Sequence, residues 1–210
     1  MLSRRSFIKT LAIAAAAVSS PTLALGFEYG ADGAPLPHYD DKDLLELRPA
    51  QQPRFVEGLI NLRSGFTGER FQCHFRDPQG NYNAEHLQYL NWFMRCNYDH
   101  QYTRMDIRVV EMLNYLAKWF PGNPEITINS AYRTPRYNRI LARSNENVAK
   151  NSLHMQGQAL DFSVQAIPIR SVCQVAQAVR NMVGAGGVGF YPSQNFVHID
   201  CGQRAATWVR

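Results

Sequence analysis

Two short stretches of the chain hold residue types suited to metal chemistry: Ser152-Leu153-His154-Met155-Gln156-Gly157-Gln158-Ala159-Leu160-Asp161 and Phe196-Val197-His198-Ile199-Asp200. A catalytic zinc takes three protein ligands, typically imidazole nitrogens with a carboxylate, and keeps a fourth position open for water. His154, Asp161 and His198 make such a set. The pattern His-x-Asp has little specificity by itself, so the case depends on whether the chain can bring the three side chains together. His38, His74, His86 and His100 lack any partner spacing and read as ordinary surface or packing residues.

The elements that must position the set follow from side-chain alternation. A strand over 158–164 puts Ala159 and Asp161 on one face and turns Leu160 and Phe162 to the other, toward a core. A strand over 196–200 puts Phe196, His198 and Asp200 on one face, with Val197 and Ile199 opposite. Each strand therefore offers one ligand from its polar side. Gly157, lacking a β-carbon, lets the chain turn closely between His154 and the first of these strands.

The chain from residue 25 onward otherwise reads as follows. Residues 25–54 carry Gly, Pro and mixed charge without periodicity, as expected of an extended N-terminal arm. Apolar-rich runs at 55–62 and 69–75, separated by Ser64-Gly65-Phe66-Thr67-Gly68, predict a hairpin. Helical periodicity covers 84–98 and 105–120 and ends at Pro121-Gly122-Asn123-Pro124. A strand at 125–129, a short helix at 135–144, a helix at 168–183 with proline in its first turn, and a strand at 188–191 complete the pattern. With helices early and most strands late, the fold class is α+β: a small antiparallel sheet with flanking helices, in one domain over 55–210.

Composition is consistent with this. The 210 residues are 45% hydrophobic and 19% charged, with 14 Gly and 11 Pro, which excludes collagen, coiled coil and wholesale disorder. The formal charge is +5 from 22 basic and 17 acidic residues. Arg4, Arg5 and Lys9 lie in the first 24 residues, where no acid occurs. Without that segment 19 basic face 17 acidic residues, a charge of +2, and a nucleic-acid partner loses its main support.

Residues 1–24 read as an address. Ser3-Arg4-Arg5-Ser6-Phe7-Ile8-Lys9 precedes an alanine-rich run from Leu11 to Val18 that is too short to span a bilayer, then Ser19, Ser20, Pro21 and the small-residue site Thr22-Leu23-Ala24. The segment resembles the twin-arginine export signal of bacteria. Cleavage is expected after Ala24, with the position after Gly26 second; an uncleaved anchor is the alternative. No other stretch is suited to crossing a membrane, so no stable insertion is expected after processing.

Export would place Cys73, Cys96, Cys173 and Cys201 where disulfides persist. Cys73 with Cys96 and Cys173 with Cys201 are plausible pairs, and four small buried thiols are the alternative. Gly184-Ala185-Gly186-Gly187-Val188-Gly189 fits the GxGxxG pattern of dinucleotide-binding loops, but a helix precedes it and a strand follows, the reverse of that fingerprint. A helix cap and tight turn are expected instead.

The ordered segments Ser130-Ala131-Tyr132-Arg133-Thr134, Ser152 to Asp161, Gly186-Gly187-Val188-Gly189-Phe190-Tyr191-Pro192 and His198-Ile199-Asp200-Cys201-Gly202 together resemble bacterial murein endopeptidases. These are zinc enzymes of the hedgehog/D-Ala-D-Ala-peptidase superfamily, and the likeness is to their twin-arginine-exported murein endopeptidase K group. The resemblance runs from about Phe55 to Trp208. It implies zinc bound by His154, Asp161 and His198. It also implies that Arg133, in Ser-x-Tyr-Arg, holds a substrate carboxylate or the oxyanion of the tetrahedral intermediate, against a structural ion pair as the alternative.

One departure from that family stands out. Many relatives place an acid or histidine two or three residues before the last zinc histidine as general base, and this chain has Asn195 and Phe196 there. Asp200, on the strand face of His198, is the local substitute, either as base or as the partner that orients a ligand; Glu146 is a weaker candidate. The expected function is a periplasmic zinc peptidase cutting peptide cross-links of peptidoglycan stem peptides, at or between meso-diaminopimelate units. A non-catalytic peptidoglycan-binding or regulatory protein, a D-Ala-D-Ala carboxypeptidase and an L-Ala-D-Glu peptidase are the alternatives.

Overall fold

The computed structural model describes residues 57–146 and 148–210. The expected export signal, its cleavage site and the arm at 25–54 lie outside the described residues. The described residues begin with the hairpin β1 (Gly58–Ser64) and β2 (Arg70–Arg76), closed by the Ser64 hydroxyl, which accepts the Thr67 amide. Helix α1 (Ala84–Phe93) starts at Asn83, whose side chain accepts from the His86 amide, and α2 (Ile107–Trp119) starts at Asp106, which accepts from Arg108. Then come β3 (Ile126–Ser130), α3 (Pro135–Ser144), β4 (Ala159–Val164), α4 (Ile169–Val183), β5 (Gly187–Tyr191), β6 (Phe196–Asp200) and β7 (Ala206–Val209).

The seven strands form one sheet in the order β2-β1-β3-β4-β6-β5-β7. The α+β class holds, but the sheet is mixed: β1 pairs with β3, and β5 with β7, in parallel. The first parallel pair is possible because α1 and α2 carry the chain back across the sheet between its strands. Sequence patterning shows strands but not which edges they choose, and β7, four residues long, carries too little alternation to be read at all.

Alternation is realised across the sheet. Leu160 and Phe162 of β4, Val197 and Ile199 of β6 and Val188 of β5 are buried in one core with Val109, Leu113 and Leu116 of α2 and Val172, Ala176 and Val179 of α4. The opposite face of β4, β6 and β5 carries Asp161, His198, Asp200 and Tyr191. That face is left open as a groove of about 670 Å³.

Helix α1 stops at Phe93, five residues short of the expected end, because the following residues are taken up elsewhere. Cys96 bridges to Gln101, His100 adopts a left-handed φ of 53°, and Tyr98 stacks on Tyr137 of α3 with centroids 4.9 Å apart. Asp99 accepts from the Thr134 hydroxyl and pairs with Arg136, so the loop braces the start of α3. The four cysteines are free buried thiols, the second of the two readings that the sequence left open. The glycine-rich run is a helix end and turn, with Gly184 capping α4 at φ 81° before β5.

Candidate active site

Three local devices bring the candidate ligands together. His154 sits in a single 3-10 turn, Leu153–Gln156, in which its own amide donates to the Ser152 hydroxyl and which ends at Gly157 with φ 66°. A β-carbon at Gly157 would lie 2.8 Å from the Arg104 carbonyl oxygen, so only glycine makes this turn against that neighbour. Asp161 and His198 are directly opposed in the antiparallel pairing of β4 and β6. Near its end β3 shifts register between Ile128 and Ser130, which sets Ser130 opposite Asp161 and so onto the groove side.

His154 is fully buried, and its Nδ1 lies 2.6 Å from the Ala131 carbonyl. A carbonyl can only accept, so Nδ1 carries the proton and the Nε2 lone pair faces the site. From Nε2 it is 3.3 Å to Asp161 Oδ1 and 3.3 Å to His198 Nδ1, and His198 Nδ1 is 2.8 Å from Asp161 Oδ1. Ligands about 2.0–2.1 Å from a tetrahedral zinc are separated from one another by roughly 3.3 Å. Two imidazole nitrogens and one carboxylate oxygen at these spacings fit the donor set of a three-ligand catalytic zinc.

The groups behind the ligands are ordered too. Asp200 presents Oδ2 to His198 Nε2 at 3.1 Å, while its Oδ1 accepts from the Gly187 and Gly202 amides, both at 2.9 Å. This is the arrangement in which a carboxylate fixes the tautomer of a metal-binding histidine. Arg133 donates through Nε to Ser130 Oγ at 2.8 Å and through Nη2 to Asp161 Oδ2, and its amide donates to the His154 carbonyl. Glu146 is exposed, while its neighbours Asn145 and Val148 line the groove.

Electrostatics follow from this packing. Burial pushes the His154 pKa down, which favours the neutral ring a metal needs. Burial alone would raise the Asp161 pKa, but the imidazoles of His154 and His198 hold it well below the ordinary carboxylate range. Burial opposes charge on His198 as well, yet hydrogen bonds to Asp161 and Asp200 outweigh it and raise the pKa to about 9. Asp200 is desolvated, but its bonds to His198 and to the two glycine amides lower its pKa below the usual value.

All five residues singled out by sequence, His154, Asp161, His198, Arg133 and Asp200, line the one groove. Its far wall was missed. Trp208 of β7 lies with its ring centroid 5.2 Å from that of His198, and Tyr191 of β5 stacks on Phe196 at 4.3 Å. Only the alternation of β5 could have pointed to Tyr191, and nothing local pointed to Trp208. No helix among the described residues is long and apolar enough to cross a membrane.

Comparison with known proteins identifies the family. A family model described as peptidoglycan L,D-endopeptidase MepK matches residues 48–208, which contain all five site residues. The probable peptidoglycan L,D-endopeptidase MepK of Haemophilus influenzae is 33% identical over 151 residues, 71% of this chain and 78% of that protein. The peptidoglycan L,D-endopeptidase MepK of Escherichia coli K12 is 34% identical over 144 residues, 69% of this chain and 76% of that protein. With residues 48–208 matched and relatives 33% and 34% identical, this chain belongs to the MepK family of peptidoglycan endopeptidases, a metallopeptidase family.

Proposed function

We propose that the chain is an exported, zinc-dependent murein endopeptidase that hydrolyses peptide cross-links between peptidoglycan stem peptides, at bonds to or between meso-diaminopimelate units. The observation that carries the reading is the convergence of His154 Nε2, His198 Nδ1 and Asp161 Oδ1 at zinc-ligand spacing on the floor of an open groove. The relatives' names specify an L,D bond, and meso-diaminopimelate offers both an L and a D centre for such a bond. Export by the twin-arginine route rests on Arg4-Arg5 and the short alanine-rich run, with residues 1–24 removed and the product periplasmic. Replacing both arginines with lysine should strand precursor in the cytoplasm; mature protein still found in the periplasm would show that the address is misread.

His154, Asp161 and His198 would hold the zinc, which when bound supplies Lewis-acid polarisation of the scissile carbonyl and acidifies an attacking water. The chain's own residues do the rest. The Ala131 carbonyl keeps the His154 lone pair aimed at the site, and Asp200 does the same for His198. With one oxygen of Asp200 bound by two amides and the other by imidazole, orientation is the role we assign it, in preference to that of base. Arg133 steadies Asp161 with Nη2; its Nη1 is left to face negative charge gained by the substrate as the amide carbon becomes tetrahedral. In the net reaction water adds to the carbonyl carbon, the C–N bond breaks, and the leaving amine takes a proton.

The direct test is elemental analysis with a cleavage assay on His154→Ala and His198→Ala. Each should lose the metal and the cleavage of muropeptide dimers while keeping a cooperative thermal transition. Full zinc occupancy in either variant would remove that histidine from the ligand set.

A further inference from the structure

The glycine-rich turn that imitates a nucleotide-binding motif serves the active site in another way. Gly189 lies directly opposite His198 on β6 and directly beside Trp208 on β7. A β-carbon at Gly189 would stand 2.6 Å from Cε2 and Nε1 of the Trp208 indole, and one at Gly187 would stand 2.9 Å from its Cζ3. Real β-carbons do not approach so closely, so the two glycines form the seat on which the indole lies, next to the His198 ring.

From that seat the indole N–H donates to the Tyr191 hydroxyl at 3.0 Å. A phenol has one hydrogen to give, and its oxygen is already accepting. No acceptor for that hydrogen is found among the described residues. The ring plane is held as well, by parallel stacking on Phe196 with 17° between the planes. Tyr191 lines the same groove as His154, Asp161 and His198. In the strand order β4-β6-β5, it stands on the side of His198 away from Asp161 and Arg133. The groove therefore holds one anchored cationic donor on one flank of the candidate zinc site and one anchored neutral donor on the other.

We propose that Tyr191 is a catalytic residue whose hydroxyl, oriented by Trp208, donates a hydrogen bond to the scissile carbonyl oxygen as that oxygen gains negative charge. No proton is transferred: the O–H remains on tyrosine and the bond strengthens with the charge it faces. A donor fixed before the reaction costs no reorganisation during it, and this is the condition under which such a bond favours the transition state over the ground state. The proposal rests on the zinc-peptidase reading of the site and goes beyond it by completing the set of groups around the reacting carbonyl.

The test compares zinc-loaded wild type with Tyr191→Phe, which keeps the ring and its stacking and removes only the hydroxyl. Three readouts are needed: zinc content, kcat and KM on a cross-linked muropeptide dimer, and affinity for a phosphinate dipeptide analogue, whose tetrahedral anionic centre imitates the charged carbonyl. The expected result is unchanged zinc, KM within about threefold, and a loss of about a hundredfold in kcat with a parallel loss of phosphinate affinity. Wild-type kcat and phosphinate affinity in Tyr191→Phe would overturn the proposal. So would lost zinc, which would make the residue structural, or an equal loss of affinity for phosphinate and for the product peptide, which would make it a ground-state contact. Should the wild type fail to cut the dimer, the substrate reading fails by itself, while the phosphinate comparison still decides the role of Tyr191.

Discussion

Asp161 of β4 and His198 of β6 face each other across one antiparallel register position, with His198 Nδ1 2.8 Å from Asp161 Oδ1. Directly opposed residues on neighbouring strands project from the same side of a sheet, so this single pairing brings two of the three candidate ligands together with no contribution from a flexible loop. Only His154 arrives from outside the sheet, and its turn is closed by Gly157 and tied to the residue just after β3 through the Ala131 carbonyl.

Replacing Asp200 by Asn should weaken zinc affinity by about tenfold to a hundredfold, with turnover falling alongside, because the group that fixes the His198 tautomer loses its charge. Measuring zinc affinity and kcat on the same preparation checks this. Wild-type zinc affinity with lost turnover would instead make Asp200 the general base.

Arg133→Ala should lower kcat on cross-linked muropeptides by about a hundredfold, the usual cost of removing a donor that faces developing negative charge. Zinc should stay bound, since the Asp161 carboxylate keeps both imidazole partners. Metal content measured beside turnover separates this outcome from a purely structural ion pair, for which activity would be retained.

Much of this architecture is legible before folding, and what is not has a physical reason. Helix α3 and strand β6 have the boundaries that the sequence suggests, because their limits are set by local chemistry: the Thr134 cap with Pro135 at one, the short turn at 192–195 at the other. Asp161 and His198 could be placed on a common face because alternation is a local property. The parallel pairings of β1 with β3 and β5 with β7 could not, since an edge is chosen by distant packing. For the same reason Trp208 escaped notice: it reaches His198 only because β7 joins β5. The role of Asp200 needed its Oδ1 partners, the Gly187 and Gly202 amides, which no spacing reveals.

Gly189→Ala should destabilise the domain by about 1–3 kcal/mol, the ordinary cost of overpacking, because the added methyl group enters the Trp208 ring. Thermal unfolding checks this, and tryptophan emission should shift as the ring leaves its seat. An unchanged melting temperature and spectrum would show that the indole does not need the glycine.

The central claim is that the groove of His154, Asp161 and His198 performs zinc-dependent peptide hydrolysis on murein cross-links. It is tested most directly by incubating the mature protein with purified muropeptide dimers before chelation, after chelation, and after restoring stoichiometric zinc, with products followed by mass. The account predicts conversion of dimers to monomers with the gain of one water per bond, its loss after chelation, and its return with zinc. Cleavage that survives complete removal of the metal, or zinc-loaded protein that binds dimers and leaves them intact, would contradict it.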